Sequence, residues 1–270
     1  MKFNVNDLHP ETVSACLMAM IYDETNFDTN VYRVFGLRCR VWAGPGQKYF
    51  YAVVLDPDND RIWIAIRGTD GKNLWWRLAS WGINFNAGIT KDGYHKGFSD
   101  VALKISKNVA GYIKDSKYVY IASHSQGSGT LVRLVALICR VIKKKMLPDL
   151  KHLQADPWCS PPGVNAIGKA EIDGYLKDGI VSINNWYMPG DLISKKKGIL
   201  RGLMHGRDVG NMIKLPDMIL PKYGIADSVS HSPTLCLYAF AAHLVKWENR
   251  LPENDLKCIS FVLNEGMVVN

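Results

Sequence analysis

One run of small and polar residues in the middle of the chain constrains its fold more than any other feature: Ser123-His124-Ser125-Gln126-Gly127. Residues 117–122, before it, alternate as in a strand, and the long apolar segment after it has helical spacing. A tight turn between a strand and a helix lets a serine project its hydroxyl above a sheet. The pattern predicts Ser125 as a nucleophile, although an ordinary strand-to-helix turn would show the same residue types.

The chain on both sides of this turn alternates between predicted strands and predicted helices. Helices are predicted over residues 10–22, 98–113, 127–145 and 235–246, and strands over residues 49–55, 61–66, 179–186 and a stretch leading into Trp158. This alternation predicts a mainly parallel sheet with helices on both faces. The 270 residues fit a single domain of this kind, spanning residues 1–270, and no repeat or linker divides them.

The formal net charge of +8 predicts attraction to anionic surfaces. The basic residues are scattered, however, and the lysine runs at residues 143–145 and 195–197 fall at a predicted helix end and in a predicted loop. Neither run has the fold context of a nucleic-acid reader, so no nucleic-acid partner is expected. A basic protein that binds nucleic acid is the weaker alternative to an enzyme.

The N-terminal residues include no apolar segment typical of a secretion signal, and Arg133 and Arg140 interrupt the longest apolar run. The chain is therefore expected to be cytoplasmic or leaderless, without a membrane-spanning segment. Its six cysteines lie far apart, with no spacing typical of a metal site. They are expected to be buried thiols, although six could pair in an exported protein. Neither a metal nor an organic cofactor is expected.

A serine hydroxyl is a poor nucleophile at neutral pH and needs a histidine base that a carboxylate orients. In hydrolases with a serine at such a turn, the order along the chain is serine, acid, histidine. Several residues satisfy this order: the acids are Asp156, Asp173, Asp178, Asp191 and Asp208, and the histidines are His152, His205, His231 and His243. Chain order alone does not choose among them.

Six short segments of the chain follow one another in a characteristic order. They are Ile64-Ala65-Ile66-Arg67-Gly68-Thr69, His95-Lys96-Gly97-Phe98, the run from Ser123 to Gly127, Ser160-Pro161-Pro162-Gly163-Val164-Asn165, Pro189-Gly190-Asp191-Leu192-Ile193 and Gly206-Arg207-Asp208-Val209-Gly210-Asn211. Together they resemble the landmarks of the class 3 lipases, the fungal-type triacylglycerol lipase family of the α/β-hydrolase superfamily. The resemblance extends over most of the chain and implies the α/β-hydrolase fold.

The resemblance also implies three catalytic roles, with Ser125 as nucleophile, Asp191 as orienting acid and His231 as general base. Asp191 follows a predicted strand, which would place its carboxylate at the C-terminal edge of that strand; the alternative is an aspartate in a turn after Pro-Gly. His231 precedes a predicted helix on a loop that could reach the serine, and the alternative is a polar residue that flanks a helix cap. His205 is the second choice for the base.

Two other histidines are expected to have structural roles. His243 lies inside an apolar helical pattern, which is typical of a core histidine. His124 is adjacent to the predicted nucleophile in sequence and is expected to point away from it.

The resemblance further implies an oxyanion hole and a lid. One donor of the hole would be the backbone N–H of Gln126, directly after the nucleophile, and the other would come from Thr69. The lid would lie around residues 70–93, where Trp75, Trp76 and Trp81 could face a lipid interface. Packing in the core or lining an acyl pocket is the alternative for these tryptophans.

Three residues depart from the motif of the family at the turn. Ser123 replaces the usual glycine, Gln126 replaces leucine, and Ser128 replaces a second glycine. None of these changes removes a catalytic group. Ser123 is expected to strain the turn slightly, and the polar Gln126 argues against a long-chain triglyceride as substrate.

The sequence thus predicts a serine carboxylic-ester hydrolase, a lipase or lipid esterase that acts through an acyl-serine intermediate. The expected partners are a lipid or small-molecule ester as substrate and an anionic membrane surface that the protein contacts peripherally. The alternatives are a catalytically silent binding protein with the α/β-hydrolase fold and a phospholipase that acts on anionic membranes.

Overall fold

Seven strands form a mixed, mostly parallel sheet in the computed structural model, which describes residues 2–43, 49–68, 88–191, 206–216, 231–247 and 253–268. The strands are β1 (Arg38–Ala43), β2 (Phe50–Asp56), β3 (Arg61–Ile66), β4 (Tyr118–His124), β5 (His152–Trp158), β6 (Ser182–Tyr187) and β7 (Asn211–Lys214). Their order in the sheet follows their order in the chain. The first three pair antiparallel, and each later strand pairs parallel to its predecessor.

Helices cover both faces of this sheet, as the alternation of strands and helices predicts. They are α1 (Pro10–Met20), α2 (Phe27–Phe35), α3 (Lys96–Lys114), α4 (Gln126–Lys143), α5 (Ala166–Lys177), α6 (Pro233–Trp247) and α7 (Glu253–Asn264). The helices α1, α2, α6 and α7 bury their apolar residues on one face, and α3, α4 and α5 bury theirs on the other. None of the described helices is long and apolar enough to cross a membrane.

The central strands are buried on both faces because helices pack against each of them. Along β3, Trp63 and Ala65 contribute to one apolar layer, whereas Ile62 and Ile64 contribute to the other. Strands between two helical layers read as nearly continuous apolar runs, which is why the sequence predicts them well. The carboxyl ends of the parallel strands meet at one edge of the sheet, where this fold class places its ligands.

One carboxylate is buried inside the layer between the sheet and α1. Asp156, on β5, is fully buried, and its carboxylate accepts hydrogen bonds from Gln154, Asn184 and Trp186 at 3.2–3.4 Å. Gln154 Nε2 also donates to Glu11 at 2.9 Å, so two acidic groups share this polar cluster. Burial and the nearby charge of Glu11 raise the pKa of Asp156 to about 7.

This raised pKa predicts a loss of stability as the pH rises. The folded protein keeps a proton on Asp156 up to about pH 7, whereas the unfolded chain releases it near pH 4, so the free energy of unfolding falls between these values. Between about pH 5 and pH 8, this proton should lower the free energy of unfolding of the wild type by about 2–3 kcal/mol. We expect the Asp156→Asn protein to lack this part of the pH dependence. Urea unfolding at several pH values measures this.

The matched control is Asp173→Asn, which changes an exposed carboxylate that Lys169 contacts on α5. It should leave the pH dependence of unfolding nearly as in the wild type. If the free energy of unfolding falls equally with pH in the Asp156→Asn and wild-type proteins, the assignment of the proton to Asp156 is contradicted.

Candidate active site

The turn between β4 and α4 holds Ser125 in a strained backbone conformation. Its φ is 55° and its ψ is −127°, a region that residues with a side chain adopt at a cost of about 1 kcal/mol or more. Two hydrogen bonds keep the turn in place: Ser125 N–H donates to the carbonyl of Trp158 at 2.9 Å, and Ser128 N–H donates to the carbonyl of Ser125 at 2.9 Å. Such a conformation is typical of a nucleophile at a strand-to-helix turn.

Gly127 lets the first turn of α4 lie directly against the end of β3. A Cβ atom at this position would lie 2.6 Å from the carbonyl oxygen of Ile66 and 2.8 Å from that of Arg67. Both atoms belong to the backbone and could not move aside cheaply. The sequence expectation of a small residue two positions after the serine therefore has a direct steric cause.

The two serines that depart from the lipase motif are hydrogen-bond partners of each other. Ser123 Oγ donates to Ser128 Oγ at 3.0 Å, and Ser128 Oγ donates to the carbonyl of Trp158 at 3.1 Å. Both side chains are completely buried. With glycine at both positions this space would hold no side chain. Here two hydroxyl groups occupy it and are hydrogen-bonded to each other.

Ser125, His231 and Asp191 form a continuous chain of hydrogen bonds. His231 Nε2 lies 2.6 Å from Ser125 Oγ, and His231 Nδ1 lies 2.9 Å from Asp191 Oδ1. All three residues are buried, with exposed fractions of 3%, 7% and 0%. With Nδ1–H donating to the carboxylate, Nε2 can accept the hydroxyl proton of Ser125, which is the arrangement that general-base activation of a serine requires.

Three separate segments supply these side chains at one edge of the sheet. Ser125 follows β4, Asp191 follows β6, and His231 precedes α6. The loop after β6 is held by a hydrogen bond from Asp191 N–H to the carbonyl of Met188 at 3.0 Å. Because the parallel strands end at the same edge, residues 66 positions apart in sequence meet at the turn.

Among the described residues, the other acids and histidines that chain order allowed do not contribute to this hydrogen-bonded chain. Asp156 lies within the sheet layer, Asp208 lines a small cavity with Ser160, His152 contacts Gln154, and His243 packs edge-on against Trp186. Asp173 and Asp178 form ion pairs with Lys169 and Lys143. His205 lies outside the described residues.

His124 was expected to point away from the site, and the structure corrects this expectation. Its ring is buried and lies 4.8 Å from the ring of His231, and its Nδ1 lies 2.7 Å from the hydroxyl of Tyr22. The side chain of a strand residue is directed by the pleat, and here the pleat places it on the face where His231 arrives. Sequence reasoning did not identify Tyr22, which comes just after α1 and is distant in sequence.

The end of β3 also approaches the turn closely. A Cβ atom on Gly68 would lie 2.6 Å from the carbonyl oxygen of His124, 2.6 Å from the hydroxyl of Tyr22 and 2.9 Å from Ser125 Cβ. Gly68 directly precedes Thr69, the predicted second oxyanion donor. Thr69 itself lies outside the described residues, so its role stays a prediction, as does that of Gln126, which is the first residue of α4.

The predicted lid also falls largely outside the described residues, together with Trp75, Trp76 and Trp81. Only residues 88–93 of the predicted range of 70–93 are described. There, Ile89 forms an isolated antiparallel bridge with His95. The tryptophans' contact with lipid stays a prediction.

Cys159 is a further residue at the site that sequence reasoning missed. It directly follows β5 with a φ of 49°, and its N–H donates to the carbonyl of Trp186 at 2.8 Å. Its Sγ lies 3.4 Å from Cys236 Sγ and interacts with the side chain of His231. All six cysteines are free thiols; five are buried, as expected, and Cys39 is half-buried.

The two neighbouring histidines have opposite pKa shifts. Burial, together with the charge of His231, lowers the pKa of His124 well below its usual value. Burial also opposes charge on His231, but the negative charge of Asp191 and the hydrogen bond to it outweigh burial and raise the pKa of His231. The site therefore stabilises the imidazolium that His231 forms when it accepts a proton, and it disfavours charge on His124.

Several solved structures share this arrangement of strands and helices. A triacylglycerol lipase whose catalytic centre is a serine protease triad has a TM-score of 0.56 and 16% identity, over 77% of this chain and 80% of that chain. The chain has the α/β-hydrolase fold. Lipase II from Rhizopus niveus has a TM-score of 0.51 and 15% identity, over 68% of this chain and 72% of that chain. A triacylglycerol lipase from Penicillium expansum has a TM-score of 0.50 and 12% identity, over 77% and 80%.

These similarities confirm the fold that the resemblance to the class 3 lipases implied. They rest on structure alone, because no family model matches the chain and no curated protein matches it. At identities of 12–16%, the fold persists although most side chains differ.

The opposite shifts of the two histidines can be measured directly. In NMR titrations of the histidine rings, we expect His231 to titrate above the usual value of about 6.5 and His124 to stay neutral down to lower pH. Asp191→Asn removes the charge that stabilises the imidazolium, so it should lower the pKa of His231. Equal values for His231 in the two proteins would contradict this account. His152→Gln serves to assign the ring signals without altering the site.

Proposed function

We propose that this protein is a serine hydrolase that cleaves carboxylic esters through an acyl-serine intermediate. One observation carries the proposal: the buried hydrogen-bonded chain from Ser125 through His231 to Asp191, at a turn whose strained backbone presents the serine. The structural likeness to a triacylglycerol lipase with a serine protease triad supports the same reaction class.

In the proposed reaction, Ser125 Oγ attacks the carbonyl carbon of the ester while His231 Nε2 takes the hydroxyl proton. Asp191 holds the imidazole in the correct tautomer and stabilises the imidazolium. The negative charge on the former carbonyl oxygen would be stabilised by the backbone N–H of Gln126 and by Thr69. His231 then gives the proton to the departing alkoxide, and water hydrolyses the acyl-serine by the same steps in reverse. Each step uses groups of the protein and water alone.

A catalytically silent binding protein is the alternative from a different class. Such a protein would have no need to keep a buried carboxylate 2.9 Å from a histidine that is itself 2.6 Å from a serine. The energetic cost of burying these polar groups and of the strained turn is understood more simply if they act together on a substrate.

Reaction with a fluorophosphonate probe tests the nucleophile. The probe should label the protein once, on Ser125, because only an activated serine reacts. Ser125→Ala should abolish the labelling and lower ester turnover by roughly 10⁴- to 10⁶-fold. His231→Ala should be similarly severe, and Asp191→Asn should be severe but no worse than His231→Ala.

The matched control is Ser106→Ala, since Ser106 is half-buried on α3, where its hydroxyl donates to the carbonyl of Leu103. It should keep both labelling and turnover. Labelling of Ser123 or Ser128 with Ser125 unmodified would refute the assignment. Absence of both labelling and turnover in the folded wild type would favour the silent binding protein.

We further propose a lipid ester as the substrate class, with peripheral contact to an anionic membrane. The formal net charge of +8 and the tryptophans at positions 75, 76 and 81 support this proposal, because indoles favour the membrane interface and basic residues favour anionic lipid. A phospholipid acyl ester in such a membrane falls in the same class.

A comparison of ester substrates tests this class. Turnover of a p-nitrophenyl ester should rise once the ester is presented as an emulsion, and vesicle binding should increase with the anionic lipid fraction and weaken with salt. Trp76→Ala should reduce the rate on emulsified ester much more than on soluble ester. Equal losses on both substrates, with a lower melting temperature, would show that Trp76 belongs to the core and would contradict the interfacial role.

A further inference from the structure

Three side chains with metal-binding atoms meet beside Ser125. The imidazoles of His124 and His231 and the thiol of Cys159 each offer one ligand atom, and these atoms lie within 4.8 Å of one another. All three residues are buried. Of these, only His231 has a part in the proposed ester hydrolysis, so the proximity of the other two needs a separate explanation.

The chemistry of this cluster suits a thiophilic divalent cation. A tetrahedral Zn²⁺ with Cys and His ligands has bonds of about 2.0–2.3 Å, so its ligand atoms lie roughly 3.5 Å apart. The separations in the cluster, at most 4.8 Å, exceed this by up to about 1.3 Å, which side-chain rotations can close. Imidazole and thiolate favour Zn²⁺ and related ions, whereas Mg²⁺ and Ca²⁺ favour oxygen ligands.

Both imidazoles already have the kind of hydrogen-bond partner that metal-binding histidines have. His231 Nδ1 bonds to the carboxylate of Asp191, and His124 Nδ1 lies 2.7 Å from the hydroxyl of Tyr22. Binding of a cation at Nε2 of His124 requires the tautomer in which Nδ1–H donates to Tyr22, and it replaces the interaction that the His124 ring makes with the backbone of His231. Such partners fix the tautomer and orient the ring for a metal.

The thiol of the cluster is kept at a cost to the backbone. Cys159 has a φ of 49°, which glycine adopts freely and a residue with a Cβ atom does not. Strain of this kind, next to the proposed catalytic histidine, points from the observed conformation to a function of the side chain.

We propose that His124, Cys159 and His231 bind Zn²⁺ or a similar thiophilic cation, and that its binding reversibly inhibits the hydrolase. The Cys159 thiol loses its proton to solvent as the sulfur–metal bond forms. His231 must give up its bond to Ser125 or its bond to Asp191 when one ring nitrogen turns to the cation. Either loss removes the general base. The inhibition rests on the proposed function, whereas the binding of the cation does not.

The first test measures binding without reference to activity. Cd²⁺ serves as the probe, because a thiolate ligand gives an ultraviolet charge-transfer band, and Zn²⁺ affinity is measured by competition with a chelating dye. All proteins carry Cys39→Ser to remove the half-buried thiol, and a phosphine reductant keeps Cys159 and Cys236 from oxidising. We expect the parent protein to bind one Cd²⁺ per chain and to show the thiolate-to-Cd²⁺ charge-transfer band.

Cys159→Gly is the decisive variant, because glycine suits the backbone at this position and the protein should fold. It should lose the Cd²⁺ band and bind Zn²⁺ at least 100-fold more weakly. Cys139→Ala, which removes a buried thiol of α4, is the matched control and should keep both. A band that persists in Cys159→Gly, or no band in the parent protein, would overturn the site.

The second test concerns inhibition of ester turnover. Micromolar Zn²⁺ should inhibit the parent protein, EDTA should restore its activity, and Mg²⁺ should have no effect. Relative to its own activity without metal, Cys159→Gly should resist Zn²⁺, and equal inhibition of both proteins would refute the regulatory role. Ser125→Ala should still bind Cd²⁺ with the band. If the parent protein has no esterase activity, the proposed function fails while the binding result still decides the metal site.

Discussion

The close approach of three backbone segments at Ser125 is the constraint on which the site depends. The end of β3, the end of β4 and the first turn of α4 come so near that Gly68 and Gly127 have no room for a Cβ atom. This packing gives Ser125 its positive φ and directs the carbonyl of Trp158 to the backbone N–H that holds the turn. Strain at the serine is therefore sustained by the packing of the whole sheet layer, which a local loop could not provide.

The elements that the sequence predicts are those with a clear period or a clear boundary. The buried strands β2 to β6 and the helices α1, α3, α4 and α6 all correspond to predicted segments. The strand β1 was missed because it lies at the sheet edge and Arg38 and Arg40 interrupt its apolar pattern. The strand β7 has only four residues, and two glycines obscure the helix α5, whose start is capped by Asn165. The helix α2 could have been found, since Phe27, Val31 and Val34 follow the helical period.

The site could be predicted only in part, for a physical reason. The turn at Ser125 is a local feature, so the sequence shows it directly. Pairing Ser125 with Asp191 and His231 depends on contacts between distant segments, and chain order left several acids and histidines open until the family resemblance selected these two. Contacts of Cys159 and Tyr22 with the histidines have no local signal at all, because they arise from the arrangement of β5 and α1 around β4.

Because the hydroxyls of Ser123 and Ser128 form a hydrogen bond, the residues at these two positions are expected to change together among related chains. Removing either hydroxyl would leave its partner's oxygen, or the carbonyl of Trp158, with one hydrogen bond fewer in a space closed to water. A passage from this turn to one with two glycines that changes Ser128 first therefore leaves the hydroxyl of Ser123 buried without its acceptor, which is destabilising. Covariation of the two positions, rather than conservation of either residue, would mark chains that share this version of the turn.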